Sequence, residues 1–234
     1  MEITSFLMVG QSNMAGRGNI GEVEPIRNPL CHMLRNGCWQ PMTEPINPDR
    51  PIFEGVYRSG VGLAASFADA YARDTGRDVG LIPCADGGSE IARWQPGELL
   101  FDHAVMMTKL AMRTSTVGGI LWHQGEQDCS PKRFPYYRER LLSTLRGFRS
   151  ALGDGFETLP IVIGELYRPA QIVSEDDRYM TAVNEVFHSI TEELGHCAVV
   201  SSEGLTLKED GVHFNSASYR TFGVRYYEAF KNIN

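Results

Sequence analysis

The stretch Val9-Gly10-Gln11-Ser12-Asn13-Met14-Ala15-Gly16 ends an apolar run on a glycine and then presents a serine where a strand turns into a helix. A serine so placed has its own N–H and a helix N-terminus aimed at incoming negative charge. Its hydroxyl becomes a nucleophile once a base takes its proton. His213 is the candidate base, and Asp210, three residues earlier in Asp210-Gly211-Val212-His213, can reach the imidazole Nδ1 across a turn. Oxyanion donors can come from the N–H of Ser12, from Gly87 or Gly88 in Cys84-Ala85-Asp86-Gly87-Gly88-Ser89-Glu90, and from the side-chain amide of Gln124. Nucleophile, base, orienting carboxylate and oxyanion donors are the parts that acyl transfer through serine requires.

Each part also has a plainer reading. Ser12 can be turn chemistry alone, and Asp210 can merely cap a turn. His123, Glu126 and Asp128 resemble metal ligands by type, but no further ligand stands at metal spacing, so no metal is expected. Trp94 and Trp122 can be core residues or, for Trp94, a flat platform for a sugar. Gln11, Asn13 and Arg93 join Trp94 as candidate substrate contacts, because a polar rim suits hydroxyl-bearing ligands.

These segments share one structural position. Five apolar stretches read as strands buried on both faces: Thr4–Val9, Val79–Ala85, Gly118–His123, Pro160–Leu166 and Cys197–Ser201. Helical periodicity fills the intervals over Val61–Thr75, Leu99–Thr114, Phe134–Leu152, Asp176–Leu194 and from Ser216, read as an N-cap, to Lys231. This alternation predicts a parallel sheet between helical layers, with ligands outside the carboxyl ends of the strands. The polar segments follow the first, second, third and fifth strands, so they converge on one sheet edge. Residues 17 to 60, rich in proline and with a candidate hairpin at Asn36-Gly37, read as an ordered excursion beside the Ser12 turn.

With 234 residues, 42% of them hydrophobic and 22% charged, the chain reads as a single globular domain over 1–234. A net charge of −7 without basic runs speaks against nucleic acid as a partner. No apolar run is long enough for a membrane span, and the N-terminus lacks a basic region feeding an apolar core. The expected location is the cytoplasm. Five cysteines without a C-x-x-C pair read as reduced thiols.

The blocks VGQSNMAGRG, IPCADGGSEIARW, LWHQGEQD and DGVHFN, in this order, resemble those of the carbohydrate esterase family that holds acetyl xylan esterases and sialate O-acetylesterases, within the SGNH hydrolases. The resemblance covers nearly the whole chain. It implies a flavodoxin-like three-layer α/β/α sandwich with a five-stranded parallel sheet. It also implies removal of acetyl groups from an acetylated carbohydrate, without a cofactor, through an acetyl-serine. Carried over, Ser12 is the nucleophile, His213 the base and Asp210 its orienter. The oxyanion donors are Ser12 N–H, Gly88 N–H and the Gln124 amide. The third block has HQGE where the wider superfamily has an asparagine, and in this family Glu126 rivals Asp210 as the acid partner of His213. Closeness in sequence favours Asp210. The competing expectations are a lipase or thioesterase on the same fold, which would want an apolar acyl tunnel, and a sugar-binding module without catalysis.

Overall fold

The computed structural model describes residues 2–48 and 59–233. Its first strand, β1 (Ile3–Gly10), buries both faces, as its apolar run requires. Phe6 and Met8 point into one hydrophobic cluster and Leu7 and Val9 into the other, the two-residue alternation of a pleated strand. A single helical turn, α1 (Ser12–Ala15), follows directly. The further strands are β2 (Cys31–Arg35), β3 (Cys38–Pro41), β4 (Val79–Pro83), β5 (Ser115–His123), β6 (Ile161–Gly164) and β7 (Cys197–Val200). The long helices are α2 (Leu63–Thr75), α3 (Leu99–Ala111), α4 (Tyr137–Leu152), α5 (Glu175–Leu194) and α6 (Ser216–Lys231).

Helices cover both faces of the sheet. Phe67 and Tyr71 of α2 and Phe222 and Tyr226 of α6 pack with Phe6, while Phe101 of α3, Phe148 of α4 and Phe187 of α5 pack with Leu7. The strand order is β3-β2-β4-β1-β5-β6-β7. All neighbours run parallel except the hairpin β2–β3. Among the five strands expected from sequence, the order is second, first, third, fourth, fifth, the flavodoxin-like winding, whose reversal of direction at β1 opens a crevice at the carboxyl end.

Among the described residues the sheet has seven strands where five were expected. The two extra ones come from the proline-rich excursion. Asn36 and Gly37 both take positive φ, 53° and 77°, the two-residue turn that matches strand twist. Cys31, His32 and Met33 then register against Val79, Gly80 and Leu81 and extend the parallel edge. Two helix starts also differ from expectation. Asn215, not Ser216, caps α6, its side chain accepting from Ser218 N at 2.9 Å. Phe134–Tyr136 forms a separate 3-10 turn ahead of α4, with Pro135 near its start.

Residues 49–58 of the excursion, Pro51 among them, lie outside the described residues. The rest is fastened at both ends. Gly18 and Val61 form an antiparallel bridge, and Gly60 N donates to Gly16 O at 3.1 Å. Glu44 pairs with Arg220 of α6 and accepts from Gly62 N at 3.0 Å. Asn47 donates to Ala85 O at 3.1 Å, so the excursion does reach the second polar segment.

Candidate active site

Gly10 is what lets β1 stop where it does. Its φ is +133°, and a Cβ there would stand 2.0 Å from His123 O. Gln11 N then donates to that same carbonyl at 2.9 Å, and α1 begins with Ser12. Gly16, at φ +89°, closes the turn where a Cβ would meet Val61 O at 2.7 Å.

Ser12 Oγ lies 2.9 Å from His213 Nε2, although the two residues are 201 positions apart. On the other side of the ring, His213 Nδ1 is 2.9 Å from Asp210 Oδ2. Asp210 Oδ1 accepts from Val212 N at 3.0 Å and His213 N at 2.9 Å, so the carboxylate also shapes the turn that presents the imidazole. Partial burial pushes the Asp210 carboxyl up. The backbone and ring donors of His213 and the N–H of Val212 outweigh it and hold the group at about 2. An ionised Asp210 leaves Nε2 of a neutral His213 free to accept from the serine hydroxyl.

Glu126 does not touch His213. Its Oε1 accepts from Asn13 Nδ2 at 2.6 Å and stands 3.2 Å from His123 Nε2. Burial would raise this carboxyl, but the imidazole of His123 and the donors of His123 and Asn13 outweigh it and lower it. Asn13 carries the contact onward. Its Nδ2 also donates to Val212 O at 3.2 Å, and its Oδ1 accepts from Phe214 N at 3.2 Å and Tyr219 Oη–H at 2.6 Å. The residue beside the serine thereby grips the backbone on both sides of His213.

Three expected substrate contacts sit elsewhere. Asn13 is buried and occupied as described. Gln11 is buried too, its Oε1 accepting from the N–H groups of Gly125 and Gln127 at 3.4 and 3.3 Å, which staples the first polar segment to the third. Trp94 is fully buried, its indole N–H donating to Ser89 Oγ at 2.9 Å and its ring edge-on to Trp122, so it is core and no sugar platform. Arg93 is half-buried in the 3-10 turn Ile91–Trp94.

Gln124 is likewise turned inward. Its amide donates to Asp128 Oδ2 at 2.6 Å and Ser89 O at 3.1 Å, and the side chain is completely buried. The buried carboxylate of Asp128 is the stronger acceptor and captures it. In this structure the amide is committed to these acceptors. By contrast, among the described residues the N–H groups of Ser12 and Gly88 have no protein acceptor. Gly88 holds φ +74°, and a Cβ on neighbouring Gly87 would lie 3.8 Å from Ser12 Cβ and 2.5 Å from Arg17 Nη2, so the glycine pair brings bare backbone against the serine.

Sequence reasoning passed over Asn47 and Tyr219. Tyr219 sits four residues after Asn215 on the first turn of α6, a position its helix start could have flagged. Asn47 carries no signal beyond a proline-rich setting. Among the described residues no group of three or more His, Cys, Asp or Glu is arranged to hold a metal ion, and Asp128 turns to Ile91 N and Gln124 instead of toward Glu126.

Residues 2–232 match the family described as carbohydrate esterase, sialic acid-specific acetylesterase. The chain is 27% identical to the probable carbohydrate esterase At4g34215 of Arabidopsis thaliana, over 96% of its own length and 89% of the relative's. The solved Arabidopsis thaliana AT4G34215 structure superposes with a TM-score of 0.85 at 24% identity, covering 100% of both chains. The structure of NanS does so with a TM-score of 0.75 at 16% identity, covering 98% of this chain and 97% of the other.

Proposed function

Since the chain belongs to the carbohydrate esterase family of sialic acid-specific acetylesterases and has the SGNH hydrolase fold, we propose that it removes O-acetyl groups from carbohydrate through an acetyl-Ser12 intermediate. That it is a carboxylic ester hydrolase follows from the family. What supports the serine mechanism is one continuous line: Asp210 to His213 at 2.9 Å, and His213 to Ser12 Oγ at 2.9 Å.

In this reading His213 Nε2 takes the proton of Ser12 as Oγ attacks the acetyl carbonyl carbon. The carbonyl oxygen gains the negative charge and is met by the N–H groups of Ser12 and Gly88. His213 returns the proton to the sugar oxygen as the C–O bond breaks, which frees the sugar alcohol and leaves acetyl on Ser12. Water then attacks the acetyl carbon with His213 as base, and acetate leaves with Ser12 restored. Asp210 holds the ring in the tautomer that exposes Nε2 and balances the imidazolium formed in each half. Glu126 acts through Asn13, as a positioning residue for the loop that carries His213.

The test is hydrolysis of a chromogenic acetate ester by the Ser12→Ala variant. The substitution removes one hydroxyl at a turn whose backbone contacts remain, so the fold should persist while turnover falls by on the order of 10³ or more. Retention of a tenth of the activity would overturn the assignment.

A further inference from the structure

A cavity of about 410 Å³ opens beside the catalytic line, within the roughly 300 to 1,000 Å³ of small-ligand sites. Its walls include Gly211 and Val212, which immediately precede His213, and Glu126, which is bonded to the neighbour of Ser12. The remaining wall comes from Gln127 and Ser130 after β5, Tyr167 after β6 and the start of α5. It therefore stands at the carboxyl ends of two strands, one residue from His213 through Val212 and linked to Ser12 through the Glu126–Asn13 hydrogen bond.

We infer that this cavity is the subsite for the sugar on the alcohol side of the scissile ester, and that it selects neutral acetylated sugars over those carrying a carboxylate. The inference rests on the acetylesterase reading above and narrows its substrate class.

The lining chemistry carries the argument. Half-buried Tyr167 offers an aromatic surface to the apolar face of a pyranose, the part expected of Trp94 from sequence. Ser130 Oγ is buried without a partner, and the side chain of Gln127 is exposed at the rim, so hydroxyls find both donor and acceptor. The charges are acidic. Among the described residues, Glu126, Asp176 and Asp177 line the cavity against Arg133 alone of the basic residues. Arg133 already pairs with Glu90 at 2.6 Å, and Glu126 faces His123, which among the described residues leaves the two aspartates without a basic side chain of their own. Asp177 is fixed there, because its Oδ2 accepts from the N–H groups of Val173 and Ser174 in the cap of α5. A sugar carboxylate placed in this cavity would meet like charge and lose its water, whereas hydroxyls would meet partners. Arg17, packed against Gly87, is not among these walls.

Three substrates discriminate: mono-O-acetylated xylobiose, O-acetylated N-acetylneuraminic acid and 4-nitrophenyl acetate. The wild-type chain should show kcat/KM at least about tenfold higher for the neutral disaccharide than for the sialic acid. Asp176→Lys, at an exposed position in the first turn of α5, should narrow that gap by about threefold or more, with the folded state checked by far-UV circular dichroism. Tyr167→Ala should raise KM for acetylated xylobiose about tenfold more than for 4-nitrophenyl acetate. Preference for the sialic acid, a gap indifferent to Asp176→Lys, or a Tyr167 effect equal on sugar and aryl ester would overturn the subsite. Failure of the wild-type chain on 4-nitrophenyl acetate itself would overturn the esterase mechanism, and the subsite with it.

Discussion

Asn13 Nδ2 stands 2.6 Å from Glu126 Oε1, and the same amide reaches Val212 O and Phe214 N on the two sides of His213. The glutamate that rivals Asp210 in the sequence is thus tied to the histidine loop through one asparagine, without touching the imidazole.

That arrangement separates the two carboxylates by experiment. Asp210→Asn should lower kcat by on the order of 10³ to 10⁴, by analogy with other serine triads, because the amide cannot hold the ring in the same tautomer. Glu126→Gln keeps an acceptor for Asn13 and should cost about tenfold or less, with KM little changed. Steady-state kinetics of the two variants on one acetate ester decide it. Equal losses would contradict the assignment of roles.

Asn13→Ala should act on loop position and stability together. It strips partners from Glu126, Val212 O, Phe214 N and Tyr219 Oη, in a buried setting. Leaving such groups unpaired costs about 1 to 3 kcal/mol each, not additively, so urea unfolding should show a loss of at least about 2 kcal/mol. The kcat should fall with it by about tenfold to a hundredfold. An unchanged unfolding midpoint would contradict this reading of the asparagine.

Asp128 gives the stability a pH signature. Burial pushes its carboxyl up to about 6, against the pull of the Gln124 and Ile91 donors. The folded chain holds a proton there that the unfolded chain releases near pH ~4. The stabilising contribution is complete below that pH and is lost as pH rises through about 6. Asp128→Asn abolishes the titration, so its stability relative to wild type should improve between pH ~4 and pH ~7 by up to about 3 kcal/mol. Urea midpoints of both proteins across that range measure it, and a constant difference would contradict the raised carboxyl.

The elements that bury apolar surface were legible because burial writes itself into spacing. Leu7 and Val9 against Phe6 and Met8 mark β1, and all five expected strands are present. The hairpin turn was legible from Asn36-Gly37, but the strands it joins were not, since five and four residues hold too little alternation to stand out among prolines. At the site, residue type and sheet edge pointed to where polar groups gather, and not to which way each one faces. Trp94 turned inward because Ser89 offers its indole a buried acceptor, and Gln124 because Asp128 lies beneath it. The partners are only five and four residues away, but where they stand is set by contacts across the fold, such as the Asp128 bond to Ile91 N, 37 residues away. The pairing of His213 with Asp210 could be read because three residues of turn confine it.

The most direct test of the central claim is intact-mass and peptide mapping after treatment with a serine-directed phosphonate ester. The account predicts a single phosphonyl adduct on Ser12, formed with loss of the leaving group and in step with loss of acetate-ester hydrolysis. It also predicts that Asp210→Asn and His213→Ala slow the labelling and that Ser12→Ala abolishes it. Labelling at another residue, or full activity in the Ser12 adduct, would contradict it.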